Sequence, residues 1–473
     1  MTRSRAAGCL LILVLLALAG LTAAARGRAT YAQDVDKSPT HTLLTTPDYD
    51  ATADALVQTA IAATATHWTR TPTPNLDATV QARVDAAMTA TFAALMPTET
   101  PLLISVPGNE PPLPSFVFLG DDVRYEPQSW NNQGPANLSM ALSYFGWDGN
   151  QATAAAWLKP NPDDKNVSPW QMVRFVNEQT PYHALYRVGG SVDVLRRVLA
   201  AGFPVIIERG FQPAGEDWLG HYLLLLGYDD ATGHFLAFDS YLGSNGGTGF
   251  SHPYAELDAW WRHFNRTFIV VYDDAREADL RAALGDYADP QYGYEMALET
   301  AREEATQDSS DGWAWFNMGT AYIALGDYES AAIAYDQAFA LNLPWRMLWY
   351  QFGPYEAYFH TGRYADVIAL AETTQSIVAN IEESYYWEGM AYAALGETEP
   401  TIRNILIALD YNPNFFPAQD ALERIQNGTF TTPVPLPTRT PTPGSGLEIA
   451  TIEPVATFTP VSPPATPTVP GLP

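Results

Sequence analysis

The sequence predicts a multidomain chain: an α+β domain, then an all-α array of helical repeats forming a superhelix, set between disordered linkers rich in Thr and Pro. Three observations carry this reading. Between residues 121 and 273, capped helical segments come first and apolar strand-like runs follow, which suits an α+β domain better than alternating βαβ units. Between residues 289 and 427, Gly326, Gly362 and Gly396 recur at intervals of 36 and 34 residues, the period of stacked helix pairs. The last segment, 428–473, holds 12 of the 37 prolines and only three charges (Arg439, Glu448 and Glu453), so it has little with which to collapse into a core.

Taken in order, residues 1–32 read as an export signal. Arg3 and Arg5 precede an apolar run from Cys9 to Ala25, and small residues near Ala25 and Ala32 offer cleavage sites. The run is about 17 residues long, at the short edge of a membrane span, so an uncleaved N-terminal membrane anchor is the alternative. Cys9 is the sole Cys and lies inside this run. A chain processed after Ala25 or Ala32 therefore has no disulfide, no thiolate metal ligand and no Cys nucleophile. Residues 33–115 form a Thr-, Ala- and Pro-rich stalk. In it Val80, Val84, Met88, Phe92 and Leu95 recur at helical spacing, which predicts a short narrow-striped helix.

In the 121–273 domain, a helix is predicted from Pro135 to Phe145. Ser168 caps a second, with Pro169 in its first turn, and Ser191 caps a third over 192–201 that Gly202 stops. Pro204–Glu208, His221–Tyr228, His234–Asp239 and Thr267–Tyr272 read as strands. If 229–233 make the turn of a hairpin, Tyr228 faces His234 and His221 falls opposite Tyr241. Asp239 then becomes the same-face diagonal neighbour of His221, within hydrogen-bonding reach.

The repeat region carries Trp315, Met318, Gly319 and Tyr322, then Gly326, Tyr328, Ala331, Tyr335, Ala338 and Pro344, a set that resembles a tetratricopeptide repeat. Gly362 and Tyr364 mark a second unit, degenerate in having Val367 where Ala331 stands in the first. Gly389, Tyr392, Gly396, Ala408 and Pro413 mark a third. Three units are about the minimum for a stable stack. Any ligand of the array is expected on its concave face.

The stretch Gln128–Asn137, with His221 and Asp239, resembles the active site of the bacteriocin-processing (double-glycine leader) peptidases, the thirty-ninth family of papain-like cysteine peptidases. The resemblance implies a papain-like fold, with His221 as general base, Asp239 as its orienter and Gln128 as oxyanion donor. The position of the nucleophilic Cys is held by Gln133. A carboxamide cannot form a nucleophilic anion, so the resemblance implies the fold without peptide hydrolysis. Neither Ser129 nor Ser139 stands where it would replace the thiol.

Outside residues 1–32 the chain carries 21 basic against 53 acidic side chains, which argues against nucleic acid as a partner. No zinc, calcium or dinucleotide motif is present. The eight His are scattered, and the glycine-rich 243–249 stretch lacks the Lys of a phosphate loop, so neither cofactor nor metal is expected. The expected function is an exported module that binds a peptide or protein ligand. A hydrolase using another nucleophile, and a scaffold acting through its repeats alone, are the alternatives. Oligomeric state is not legible.

Overall fold

The computed structural model describes residues 112–431, apart from residues 165, 214 and 342. The predicted export segment, nearly all of the predicted stalk and most of the predicted tail lie outside the described residues.

Seven antiparallel strands make one sheet: β1 (Phe116–Phe118), β2 (His183–Arg187), β3 (Val205–Phe211), β4 (Leu219–Asp229), β5 (His234–Phe238), β6 (Phe250–Pro253) and β7 (Phe268–Tyr272). Their order is β2-β7-β3-β4-β5-β6, with β1 also on β4. Helices cover both faces. On one lie α1 (Gln133–Tyr144), α2 (Gln151–Leu158) and α3 (Pro169–Gln179), whose Leu138, Met140 and Phe175 pack with Tyr222, Leu224 and Leu226. On the other lie α4 (Val192–Ala200), α5 (Tyr254–Trp261) and α6 (Glu277–Leu284), whose Leu195, Trp261 and Leu280 pack with Leu223 and Leu225. The caps act locally as expected: Ser191 accepts from Val194 N–H, and Ser168 and Gln171 close a capping box. Gly202 ends its helix at φ +82°.

The hairpin of β4 and β5 differs from the sequence expectation in two ways that cancel. Asp229, not Tyr228, pairs with His234, so the turn is one residue shorter than expected. A β-bulge between Leu225 and Gly227 then restores the register, and Leu225 pairs with Ala237 and Leu224 with Phe238. The bulge also moves Tyr228 onto the face of Leu223 and Leu225. Glycine is required at 227, where a Cβ would stand 1.9 Å from the Val117 carbonyl oxygen of β1. Strands β1, β2 and β6 lack an alternating apolar pattern and were not expected from sequence.

The array begins with α7 (Pro290–Gln307). It continues as the pairs α8 (Gly312–Ala324) with α9 (Tyr328–Ala340), α10 (Gly353–His360) with α11 (Tyr364–Ile377), and α12 (Glu382–Ala394) with α13 (Thr398–Tyr411), and closes on α14 (Phe416–Gln426). Each pair turns through a left-handed glycine, Gly326, Gly362 or Gly396, at φ +80°, +77° and +80°. The next N–H reaches back five residues in each: Asp327 to Tyr322, Arg363 to Tyr358, and Glu397 to Tyr392, at 2.8, 2.8 and 2.9 Å. These are Schellman turns. Paired helices approach closely at Gly319, where a Cβ would stand 2.7 Å from the Tyr335 ring. The middle unit departs from the pattern: α10 has eight residues and is preceded by a 3-10 turn, Trp345–Trp349. Pro354 in its first turn has no N–H to carry the helix backwards.

Val188, Trp218 and Phe264 of the sheet domain share one apolar core with the repeats. Among the described residues no helix is long and apolar enough to cross a membrane.

Candidate functional site

Helix α1 starts from a tight turn over Ser129–Asn132, closed by Asn132 N–H donating to the Ser129 carbonyl at 3.0 Å. Asn131 takes φ +53°, a conformation its short amide tolerates. Gln133, the first helical residue, projects toward the start of β4. Its Nε2 donates to the Gly220 carbonyl at 3.1 Å. That acceptor settles the amide orientation and turns Oε1 toward His221, whose Nδ1 lies 3.0 Å away. The other ring nitrogen, Nε2, lies 3.0 Å from Asp239 Oδ1. His221 and Asp239 are both buried.

Asp239 Oδ1 also accepts from Tyr241 and Leu242 N–H at 2.8 and 3.0 Å. Burial by itself would raise the Asp239 carboxyl. The His221 charge and hydrogen bond, with the two backbone donors, outweigh it and hold the group well below the usual carboxylate range. Gln128 joins the same network. Its N–H donates to the Ser240 carbonyl at 2.8 Å, and its Oε1 accepts from Ser240 Oγ at 2.8 Å. Its amide NH2 is left as the donor end. Ser240 Oγ in turn accepts from Asn137 Nδ2 at 3.1 Å, and that amide also donates to the carbonyls of Gln133 and Tyr222. The structure thus brings together all four sequence-identified residues, with a carboxamide where a thiol would face the imidazole.

Several residues of the site were not singled out from sequence. Arg209 pairs with His221 across β3 and β4 and places Nη2 3.7 Å from Asp239 Oδ2, itself buried. The neighbouring Glu208 is also buried, and burial pushes its carboxyl well up. Two adjacent charges ending the apolar run 205–207 were the available signal, since such residues are rarely interior without a role. Phe211 stacks on the His221 ring at 4.8 Å. His252 is lowered to about 4, first by burial and then by the Arg209 charge. Gln151 holds the turn before α1: its Oε1 accepts from Ser129 N–H at 2.7 Å, and its Nε2 donates to Glu126 and Pro127. No sequence signal marks Gln151.

Ser139 Oγ is engaged elsewhere, donating to Glu126 at 2.7 Å. Ser129 lies in the turn before α1, where its backbone N–H donates to Gln151 Oε1. Among the described residues no three His, Cys, Asp or Glu side chains converge as a metal cradle. The 243–249 loop leads into β6, not into a helix, so it lacks the geometry of a phosphate loop.

The sequence model of the Peptidase C39-like family matches residues 121–268, and that of the tetratricopeptide repeat matches 312–343. No curated protein matches the chain. Among solved structures, a C39-like peptidase from Bacillus anthracis is 18% identical, with a TM-score of 0.28, over 33% of this chain and 98% of its own. The peptidase domain of Streptococcus ComA, a bifunctional ABC transporter of a quorum-sensing pathway, is 12% identical, with a TM-score of 0.25, over 32% of this chain and 100% of its own. YrrB, a tetratricopeptide-repeat protein, is 16% identical, with a TM-score of 0.17, over 31% of this chain and 88% of its own. The chain is therefore built from a Peptidase C39-like domain followed by tetratricopeptide repeats.

Proposed function

We propose that this chain is an exported module that binds a peptide or protein and does not hydrolyse it. The observation that carries the reading is the carboxamide of Gln133, which occupies the place facing His221 Nδ1 and is pinned on its other side by the Gly220 carbonyl. Acyl transfer in this arrangement needs an atom at residue 133 that can lose a proton and attack, and an amide supplies none. What remains is a site with an ordered His–Asp pair and an amide donor at Gln128. Trp130, Tyr241 and Leu242 are exposed in the segments that bear Gln128 and Asp239, the kind of apolar surface that serves recognition. Tetratricopeptide repeats generally mediate protein or peptide binding, which supports a binding role for the second half. Export rests on the Arg-flanked apolar run before residue 33.

The test is the wild-type chain against Gln133→Cys. The wild type should cleave no member of a peptide library. In Gln133→Cys the new thiol sits at a helix N-terminus beside His221, so it should react rapidly with iodoacetamide, and His221→Ala should abolish the enhancement. Robust His221-dependent cleavage by the unmodified chain would overturn the reading.

A further inference from the structure

The repeats reach this site from two sides. The first contact comes from the middle repeat, at the place where its helical pattern breaks. Tyr350 follows the 3-10 turn and packs edge-on against Trp218 and Phe264, with centroids 5.9 and 6.0 Å away. It lies against Gly220, where a Cβ would stand 3.0 Å from its ring. The adjoining Gln351 donates to the His263 carbonyl at 2.9 Å. Gly220 is the residue whose carbonyl holds Gln133 Nε2, and it immediately precedes His221.

The second contact comes from the third repeat and runs through α2. Asn412 Nδ2 donates to the Leu158 carbonyl at 3.0 Å and to Glu382 Oε1 at 2.8 Å, and Asn414 Nδ2 donates to the Trp157 carbonyl at 2.8 Å. The last turn of α2 is thereby fastened to the array. The next residue, the buried Lys159, donates to the Asn131 carbonyl at 2.9 Å, two residues before Gln133. At the other end of α2, Gln151 holds Ser129. One contact therefore backs the His221 strand, and the other backs the turn that presents Gln133.

We propose that the repeat array is a positioning part of the candidate site. Tyr350 and Asn412 act through Gly220 and α2 to fix the separation of His221 from residue 133, and the partner of this side of the array is the chain's own peptidase-like domain. The proposal rests on the His221–Gln133 pair being the functional centre. Its distinctive support is the coincidence of the one irregular repeat helix with the contact at Gly220.

The experiment uses the full chain and two readouts. In the Gln133→Cys background, the pH–rate profile of thiol alkylation reports the geometry of residue 133 relative to His221. Tyr350→Ala and Asn412→Ala should each slow alkylation at neutral pH about tenfold and move the profile up by about one pH unit. Tyr350→Phe, which keeps the ring but removes the hydroxyl's hydrogen bond with the Gly220 backbone, should give a smaller change than Tyr350→Ala, and Ile333→Ser, on an exposed face of α9, should leave both within about twofold, a difference too small to report a moved imidazole. In the otherwise wild-type chain, the downfield N–H proton resonances of His221 should survive Ile333→Ser and be lost to exchange in Tyr350→Ala. If Tyr350→Ala does not fold, Asn412→Ala and Gln351→Ala decide. Variants that lower the melting temperature yet leave the profile and resonances unchanged overturn the proposal. An ordinary thiol in Gln133→Cys alone, with His221 resonances still lost in Tyr350→Ala, would sink the functional reading of the site and leave the positioning role standing.

Discussion

Two buried carboxylates, one in each half of this molecule, are held in opposite ways. In the peptidase-like domain, Asp239 is surrounded by donors: the His221 ring, two backbone N–H groups and, farther off, the Arg209 guanidinium. Its carboxyl is held low. In the array, half-buried Glu356 has no ion pair among the described residues, and burial alone pushes it up to about 7. Glu383 is raised by burial and then by the neighbouring Glu382 charge. Asp239 is a charge with its partners supplied, whereas Glu356 is a carboxyl that packing desolvates without a counter-charge among the described residues.

The sharpest way to break this contrast is to remove each carboxylate. Asp239→Ala should cost about 3–5 kcal/mol in denaturant unfolding, because it leaves Arg209 and His221 buried without their counter-charge. Glu356→Leu should be neutral or stabilising. Equal losses at the two positions would mean that the two carboxylates are not held differently. If packing carries the array, steric intrusion should be its weak point. Gly319→Val should cost about 3 kcal/mol, since the first added carbon already meets the Tyr335 ring. A loss below about 1 kcal/mol would refute this.

Acidity sharpens the contrast further, because the signs are opposite. Glu356 keeps its proton in the folded chain after the unfolded chain has released it near 4.5, so its stabilising contribution is full below 4.5 and is lost as pH rises through about 7. The lost amount is about 3 kcal/mol, and Glu356→Gln should remove that slope from pH-dependent unfolding curves. Asp239 acts in the other direction. Its contribution is present above the ordinary value of 3.8 and falls away as the pH drops below it. The smallest expected effect is at the repeat turns. Gly362→Ala should cost about 1–2 kcal/mol for a left-handed residue with a Cβ, read as a shift in denaturation midpoint at constant slope.

The two halves were also unequally legible in sequence. The array's turns were visible because Gly326, Gly362 and Gly396 perform the same local task, and a local task repeats. The grouping of Gln128, Gln133, His221 and Asp239 was anticipated by family resemblance and a hairpin argument whose turn was one residue too long. The bulge beside Gly227 compensated for that error. Arg209, Phe211 and Gln151 carried weak signals or none, because each acts through contacts made once in the chain and not through a period. The short strands β1 and β6 were missed because three or four residues cannot display an alternation.

Residue order alone was enough for what depends on near neighbours: capped helices, left-handed glycine turns, the succession of sheet domain and repeats, and the absence of a thiol opposite the histidine. The tertiary structure alone decided how Gln133 is held by Gly220, 87 residues away, and how Tyr350 and Asn412 back the site from the repeats. The reason is physical. Hydrogen-bonding periodicity and backbone stereochemistry act over a few residues and leave a pattern in the chain. A contact between distant segments is made once, by whichever side chain the packing brings there, and leaves none.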